Sequence, residues 1–441
     1  MGDRGKKKRL RWYGSGRISR RELIARGTAL GLTLGGLGVS LGDGRASAAG
    51  EASGDITFIK GPHHANDKEF QQQIIAGFNK KFPKIKVTAT FYDWAQMDTQ
   101  LTTAFSGGSP PDVLYLVDMV YPFYARQGGL EDMTSYVGDA AWKGERDAIE
   151  PFAWNLATQQ GKVWGVPVLG AVYLVLVNQD LLQKAGVTDW NSSYDALLRA
   201  AQKTTQGNAY GFSVRTAVND YAFWDWFPYM HNAGADILNR NWTACGLNNP
   251  DSVAAMQFLV DLHTKYKVTP PVGAVDWQGQ KDLFKAGRIA IHHDETTLVN
   301  DLQAKPPAFK WDIGMAPPGP KGRTAMGNFG FMCIAKSSKN KQAAWEFIKY
   351  WASAPVVSRY AEEVSLQIVR RDAVAGMWKG NSMMARVQSQ FVPRVEGIQP
   401  HPKMRQILAA FWPTMEGAYR GQMAGADALK KACEEITSTL S

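Results

Sequence analysis

The sequence predicts an α/β protein, and three observations carry that prediction. Short stretches with a two-residue apolar period alternate with stretches of helical apolar spacing through most of the chain. One central run, Val172-Tyr-Leu-Val-Leu-Val177, is apolar at every position, the signature of a strand buried on both faces. The 441 residues, 45% of them hydrophobic, are enough for two or three lobes of ordinary domain size, and no low-complexity linker or internal repeat separates them. The composition excludes a mainly disordered chain, and three cysteines in this length exclude a scaffold built on disulfides.

The elements follow in order. Residues 55–59 alternate as a strand, and Asn66-Asp67 offers an N-cap before Phe70, Ile74 and Phe78, which share one helical face. A strand over 87–91, a helix over 97–105 and a strand over 112–116 come next, a rhythm that indicates βαβ units and a parallel sheet. Helices are expected over 192–204, 250–266 and 277–286. Strands over 288–292 and 311–315 flank a further short helix, and 329–335 is another strand. A helix over 340–352 has Ala344, Phe347, Ile348 and Trp351 on one face, and helices over 403–419 and 427–439 close the chain.

The net charge of +10 invites a nucleic-acid or anionic-membrane reading, but residues 1–48 hold eleven basic against three acidic groups and so carry +8 of it. The remaining 393 residues have 39 basic and 37 acidic groups, which leaves no basic surface for nucleic acid. The head has a basic stretch to Arg26, an apolar Gly-rich stretch over 28–41 and Ala46-Ser47-Ala48, the small-residue pattern of a signal-peptidase site. Ser19-Arg20-Arg21-Glu22-Leu23-Ile24 resembles the twin-arginine export motif, with Leu where Phe is more usual. The expectation is export to the periplasm with cleavage near Ala48. No cysteine stands at that site for a lipid anchor, and no other run of 18 apolar residues occurs. Cys245, Cys333 and Cys433 allow at most one disulfide, and their spacing does not say whether any pair forms.

Catalytic motifs are missing from the mature chain: there is no G-x-S-x-G elbow, Walker loop, H-E-x-x-H, paired C-x-x-C or dinucleotide glycine fingerprint. The pairs His63-His64 and His292-His293 cannot chelate a metal alone, because neighbours on an extended segment point oppositely; no metal and no cofactor is expected. The aromatic residues say more. Tyr221-Ala-Phe-Trp-Asp-Trp-Phe-Pro-Tyr229 places six aromatics and a carboxylate in nine residues, and Asp93-Trp94 and Asp276-Trp277 repeat the Trp–carboxylate pairing. A sugar offers a C–H face for stacking and a rim of hydroxyls for carboxylates and amides. Most of these rings are nonetheless expected to be core, because aromatics are mostly buried.

In order and spacing, the chain resembles the bacterial family 1 extracellular solute-binding proteins, the maltose-binding-protein-like receptors of ABC importers. Phe78-Asn-Lys-Lys-Phe-Pro-Lys-Ile-Lys-Val87 is similar to the family's F-x-x-x-x-P-x-I-x-V, and Leu101-Thr-Thr-Ala-Phe-Ser-Gly-Gly-Ser-Pro-Pro-Asp-Val113 to its L-x-x-A-x-x-x-G-x-x-P-D-V. Gly161-Lys-Val-Trp-Gly-Val-Pro167, Asp282-Leu-Phe-Lys-Ala-Gly287 and Lys336-Ser-Ser-Lys-Asn-Lys-Gln-Ala-Ala-Trp-Glu-Phe-Ile348 continue the match. The resemblance implies a type II periplasmic-binding-protein fold, two mixed α/β domains around a cleft with three hinge crossings. These are placed near 167–171, 313–316 and 360–363. The lobes would then be 49–167 plus 314–361 and 168–313 plus 362–441.

On this resemblance, ligand contacts are expected from the loops at the carboxyl ends of strands facing the cleft. The candidates are His63, His64, Asp93, Trp94, Asp118, Tyr173, Trp224, Trp226, Asp294, Asn328 and Arg370. Asn328 stands where the family has a second Gly. Arg370 matches the family Arg in G-x-L-P-x-R, although the segment from Ser365 lacks both the Gly and the Pro. The function implied is that of a monomeric receptor binding a small-molecule solute, a carbohydrate before all, and delivering it to an inner-membrane permease by hinge closure, with no catalytic residue. The alternatives are an acidic solute such as a sugar acid or phosphate ester, and an exported glycoside hydrolase using Asp118 with Asp294.

Overall fold

The computed structural model describes residues 52–63, 67–216 and 222–441. The export head, the cleavage site, His64 and the Asn66 cap lie outside the described residues. The strands are β1 Gly54–Lys60, β2 Ile85–Phe91, β3 Val113–Val117, β4 Thr158–Gln159, β5 Lys162–Val163, β6 Val166–Asn178, β7 Tyr210–Ser213, β8 Ile289–Glu295, β9 Trp311–Gly314, β10 Ala325–Ile334, β11 Gln367–Ile368 and β12 Val395–Glu396. Apart from the β4–β5 hairpin, they join one sheet with the path β2-β1-β3-β10-β6-β8-β7, to which β9, β11 and β12 attach.

The sheet is mixed rather than parallel throughout. Its two ends are parallel, β1 with β2 and β3, and β7 with β8. The centre is antiparallel, because β10 runs against both β3 and β6, and β6 against β8 and β9. Strand β6 holds the two ends together. From Val166 to Tyr173 it pairs with β10, and from Tyr173 to Asn178 with β8 and β9, so Tyr173 has Met326 on one side and Glu295 on the other. The apolar run that marked this strand is buried from Val172 through Val177.

Helices cover the sheet as their periodicity requires. Asp67–Lys81 has acidic residues in its first turn and lysines in its last, favourable against the helix dipole, and buries Phe70, Ile74, Ile75 and Phe78. Lys341–Trp351 packs on β1 and β10. Met404–Tyr419 and Gly425–Leu440 pack on each other and on Pro250–Thr264. Several helices escape the periodicity reading, Phe223–Ala233 and Ala354–Val364 among them. Phe223–Ala233 buries nine of its eleven residues and contains Pro228, so it has neither a polar face nor an unbroken helical signature. Ala354–Val364 begins at Ala354-Pro355 and ends at Ser365, whose φ of 53° is left-handed. The expected crossing at 360–363 therefore falls in the last turn of a helix. Ser365 holds a conformation that glycine adopts without strain, which accounts for a glycine in the related pattern. Cys245 and Cys433 form a disulfide, and Cys333 is a buried thiol.

Candidate ligand-binding site

A cavity of about 560 Å³ opens over the junction of β3, β10, β6 and β8. Its first wall grows from the carboxyl end of β1. The chain leaves β1 through Gly61, where a Cβ would lie 2.6 Å from the Trp94 ring, so only glycine lets the indole close over the loop. Trp94, the first residue of the helix Trp94–Ser106, fixes that closure by donating from Nε1 to the Pro62 carbonyl at 2.6 Å. His63, Trp94 and Tyr115 of β3 form an aromatic cluster: His63 is 5.4 Å from Trp94 and 5.3 Å from Tyr115, centroid to centroid.

The second wall comes from β6, β7 and the helix Trp277–Lys285. Arg215, just past β7, donates from Nε and Nη2 to the two carboxylate oxygens of buried Asp225 at 2.7 and 2.6 Å. Its guanidinium lies 4.8 Å from the Trp277 ring centroid and 5.5 Å from that of Tyr173. Lys281, one turn after Trp277, places its ammonium 3.7 Å from the same indole centroid. Asp294 lies beneath, accepting from Trp277 Nε1 at 3.1 Å and facing Lys281 Nζ at 3.8 Å. Asn328, Ala171 and Val117 complete the lining from the central strands, with Asn328 paired to Ala171, while Glu295, Thr297, Asn300 and Asp301 add polar groups.

Buried charges are neutralised in pairs. Burial pulls the Lys60 ammonium down to about 8, against the opposing pull of Asp67 2.6 Å away. Burial raises the Asp67 carboxyl, but Lys60 and His63 beside it outweigh that and hold it below the usual carboxylate range. Burial and Lys60 keep the His63 imidazole neutral. Asp294 is held down because Lys281, His292 and Arg215 outweigh its burial, whereas burial raises Asp225 despite Arg215. The walls thus offer aromatic faces, pre-paired cations and the carboxylates of Glu295 and Asp301. Among the described residues no group of three or more His, Cys, Asp or Glu is placed to hold a metal ion.

Of the expected contact residues, the structure brings His63, Trp94, Tyr173 and Asn328 onto the cavity wall. His64 lies outside the described residues. The others stand elsewhere for identifiable reasons. Asp93 occupies the N-cap position of the Trp94 helix with an exposed side chain that makes no capping hydrogen bond. Asp118 is fully buried behind β3, accepting from the Phe329 N–H at 3.2 Å. Trp224 is buried behind Tyr173, its ring stacked at 5.7 Å, and Trp226 is buried against Phe411 at 5.0 Å. Asp294 supports Trp277 from below. Arg370 turns away to pair with Asp372 through two hydrogen bonds and with Glu145 at 2.6 Å. Tyr115, Arg215, Trp277 and Lys281 were not among the expected contacts, whereas Glu295 closes the strand-end segment 293–295 expected to face the cleft. Trp277 and Lys281 carry a legible signal, an aromatic and a cation four apart on an amphipathic helix. Arg215 carries none, since a single Arg after a strand is ordinary.

A mixed α/β sheet whose halves share two long central strands, with an aromatic and ionic cavity over the junction, defines a solute-capturing protein of the type II periplasmic-binding class. The chain matches the model of the bacterial extracellular solute-binding proteins over residues 61–357, and it belongs to that family. It is 23% identical over 401 residues to a Brucella abortus chain named as a binding protein, covering 90% of this chain and 95% of the relative. It is 23% identical over 359 residues to the diacetylchitobiose binding protein of Streptomyces coelicolor, covering 77% and 79% of the two chains. Its fold is similar to that of maltose-bound MalE3 from T. maritima, with a TM-score of 0.76 at 22% identity over 87% of this chain and 99% of the other. No described helix is long and apolar enough to cross a membrane.

Proposed function

We propose that the protein is the carbohydrate receptor of an ABC importer, capturing an uncharged mono- or oligosaccharide in this cavity and passing it to a permease. The observation that carries the reading is the opposition of two aromatic walls, His63–Trp94–Tyr115 and Tyr173–Trp277, around polar groups that suit hydroxyls. Relatives that bind diacetylchitobiose and arabinooligosaccharides support it. Capture proceeds by closure of two lobes, 49–167 plus 314–361 against 168–313 plus 362–441, about the central strands. The Cys245–Cys433 bridge supports export into an oxidising compartment such as the periplasm. A binding role rather than hydrolysis is supported by the family.

Arg215 and Lys281 favour a second reading, an acidic sugar. Calorimetric titration with maltose, diacetylchitobiose and arabinobiose against galacturonate and glucose 6-phosphate decides between them. The expected result is saturable binding of a neutral sugar, weakened roughly tenfold or more by Trp277→Ala. Preference for the anionic probes, or product release without saturable binding, overturns the proposal.

A further inference from the structure

Beneath the first wall lies a buried network that the capture of a solute does not by itself explain. Lys60, wholly buried at the end of β1, has its ammonium 2.7 Å from the Gly61 carbonyl, 2.6 Å from Asp67 Oδ2 and 3.1 Å from His63 Nδ1. Tyr360, reaching down from the helix Ala354–Val364, has its hydroxyl 2.9 Å from both Asp67 oxygens and 2.9 Å from the same His63 Nδ1. The His63 backbone N–H donates to Asp67 Oδ2 at 2.7 Å, and Gln71 donates to Oδ1 at 3.3 Å. The loop and the histidine are therefore anchored to a single carboxylate.

The donor inventory of this network decides where the imidazole proton sits. An ammonium has three N–H groups and no lone pair, and a buried one left without an acceptor is costly. Lys60 has three acceptors in reach only if His63 Nδ1 carries a lone pair. A proton on Nδ1 would set donor against donor at 3.1 Å. Tyr360 has a single proton and three atoms within 2.9 Å to receive it, the two Asp67 oxygens and a bare His63 Nδ1; shared among them, it is compatible with the tautomer that the ammonium requires. A doubly protonated ring is excluded by its burial beside the ammonium. The imidazole proton therefore belongs on Nε2, the nitrogen away from the network. The ring lines the cavity between Trp94 and Tyr115, and its contacts to Lys60 and Tyr360 are both made by Nδ1.

We propose that His63 is a specificity-determining residue that presents a fixed Nε2–H donor to the solute, and that Lys60 is the positioning residue which imposes this tautomer. This rests on the cavity being the solute site. The group read by His63 is a hydrogen-bond acceptor on the sugar, a hydroxyl, ring or glycosidic oxygen, and a ligand presenting only a C–H or a bound donor proton there is rejected.

The tautomer is testable without any ligand. Long-range ¹H–¹⁵N spectra of the full-length, ligand-free protein should show the His63 ring neutral between pH 5.5 and 7.5, with protonated Nε2 and bare Nδ1. In Lys60→Met the two tautomers should mix. If that variant does not fold, Tyr360→Phe, which leaves Lys60 in place, should keep the Nε2–H form. An Nδ1–H ring, or one titrating near pH 6.5, in the wild type overturns the assignment. For the solute contact, maltose, diacetylchitobiose and arabinobiose serve as probes. The first of them to shift the Trp94 and Trp277 indole signals should also shift His63 Nε2, and His63→Phe should weaken its binding roughly tenfold while His63→Gln keeps part of it. A probe that moves both indoles but neither shifts Nε2 nor loses affinity in His63→Phe defeats the specificity role and spares the receptor reading. If none moves either indole, the receptor reading fails, and the specificity role with it.

Discussion

At the scale of single residues, Asp118 is the most exacting position outside the cavity. Its Oδ2 takes the Phe329 N–H, while Oδ1 is buried with no hydrogen-bond partner among the described residues. Burial raises its carboxyl from 3.8 to about 8. The folded state thus holds a proton that the unfolded chain has released above about pH 4. The resulting stability is complete at pH values below the unfolded value and is lost as pH rises from about 4 to about 8. Asn mimics the protonated acid in shape and charge but does not titrate. Relative to wild type, Asp118→Asn should therefore gain stability progressively across that window, by roughly 3–5 kcal/mol at its upper end. Urea unfolding at pH 5 and pH 8 measures the gap, and an equal gap at both values would sink the assignment. The same burial keeps Asp118 out of the cavity.

At the scale of elements, legibility in the sequence divides by whether the signal is local. Strands β1, β2, β3 and β8 are readable because their apolar pattern lies within five to seven neighbouring residues. The loops after β1 and β2 carry His63 and Trp94, which line the cavity together with Tyr173 of β6. The antiparallel centre was not readable, because β10 reaches β3 and β6 across long separations and nothing local records direction. Nor does composition distinguish a ring that lines a cavity from one that fills a core. Trp224 and Trp226 sit in the most aromatic segment of the chain and are both fully buried, whereas Trp277, in an ordinary helix, faces the cavity. Pairing of cysteines is another non-local fact. The Cys245–Cys433 bridge spans 188 residues and ties the loop after Phe223–Ala233 to the last helix, which buries Ala428, Leu429, Ala432, Cys433 and Ile436. Replacing both cysteines with serine should cost about 2–5 kcal/mol in chemical denaturation and speed amide exchange across 425–440. Unchanged exchange there would show that packing alone holds the helix.

At the scale of the molecule, the question is how occupancy of a cavity becomes a signal that a permease can read. Strand β6 changes partners at Tyr173, and β10 pairs with β6 over 326–332 and with β3 over 330–334, so two continuous strands underlie both walls. In the proposed closure, a small twist of these strands would bring Trp94 and Trp277 together without breaking either sheet half. The tight approach at Gly170, where a Cβ would stand 2.6 Å from the Phe329 ring, lets β6 and β10 lie close at this point. A solute touching both walls stabilises the closed arrangement by its contacts in that state alone. At one hundred times its dissociation constant it should add about 2.7 kcal/mol to stability, a rise in Tm of a few degrees. The radius of gyration from small-angle scattering should fall in the same titration, with the same midpoint. Gly170→Val, which drives a side chain into Phe329, should lower stability by about 1–3 kcal/mol and blunt the compaction. A ligand that raises Tm without changing the scattering curve would leave capture standing and remove closure as its mechanism. Compaction and stabilisation with one midpoint, lost together in Trp277→Ala, would tie the motion to the contact that drives it.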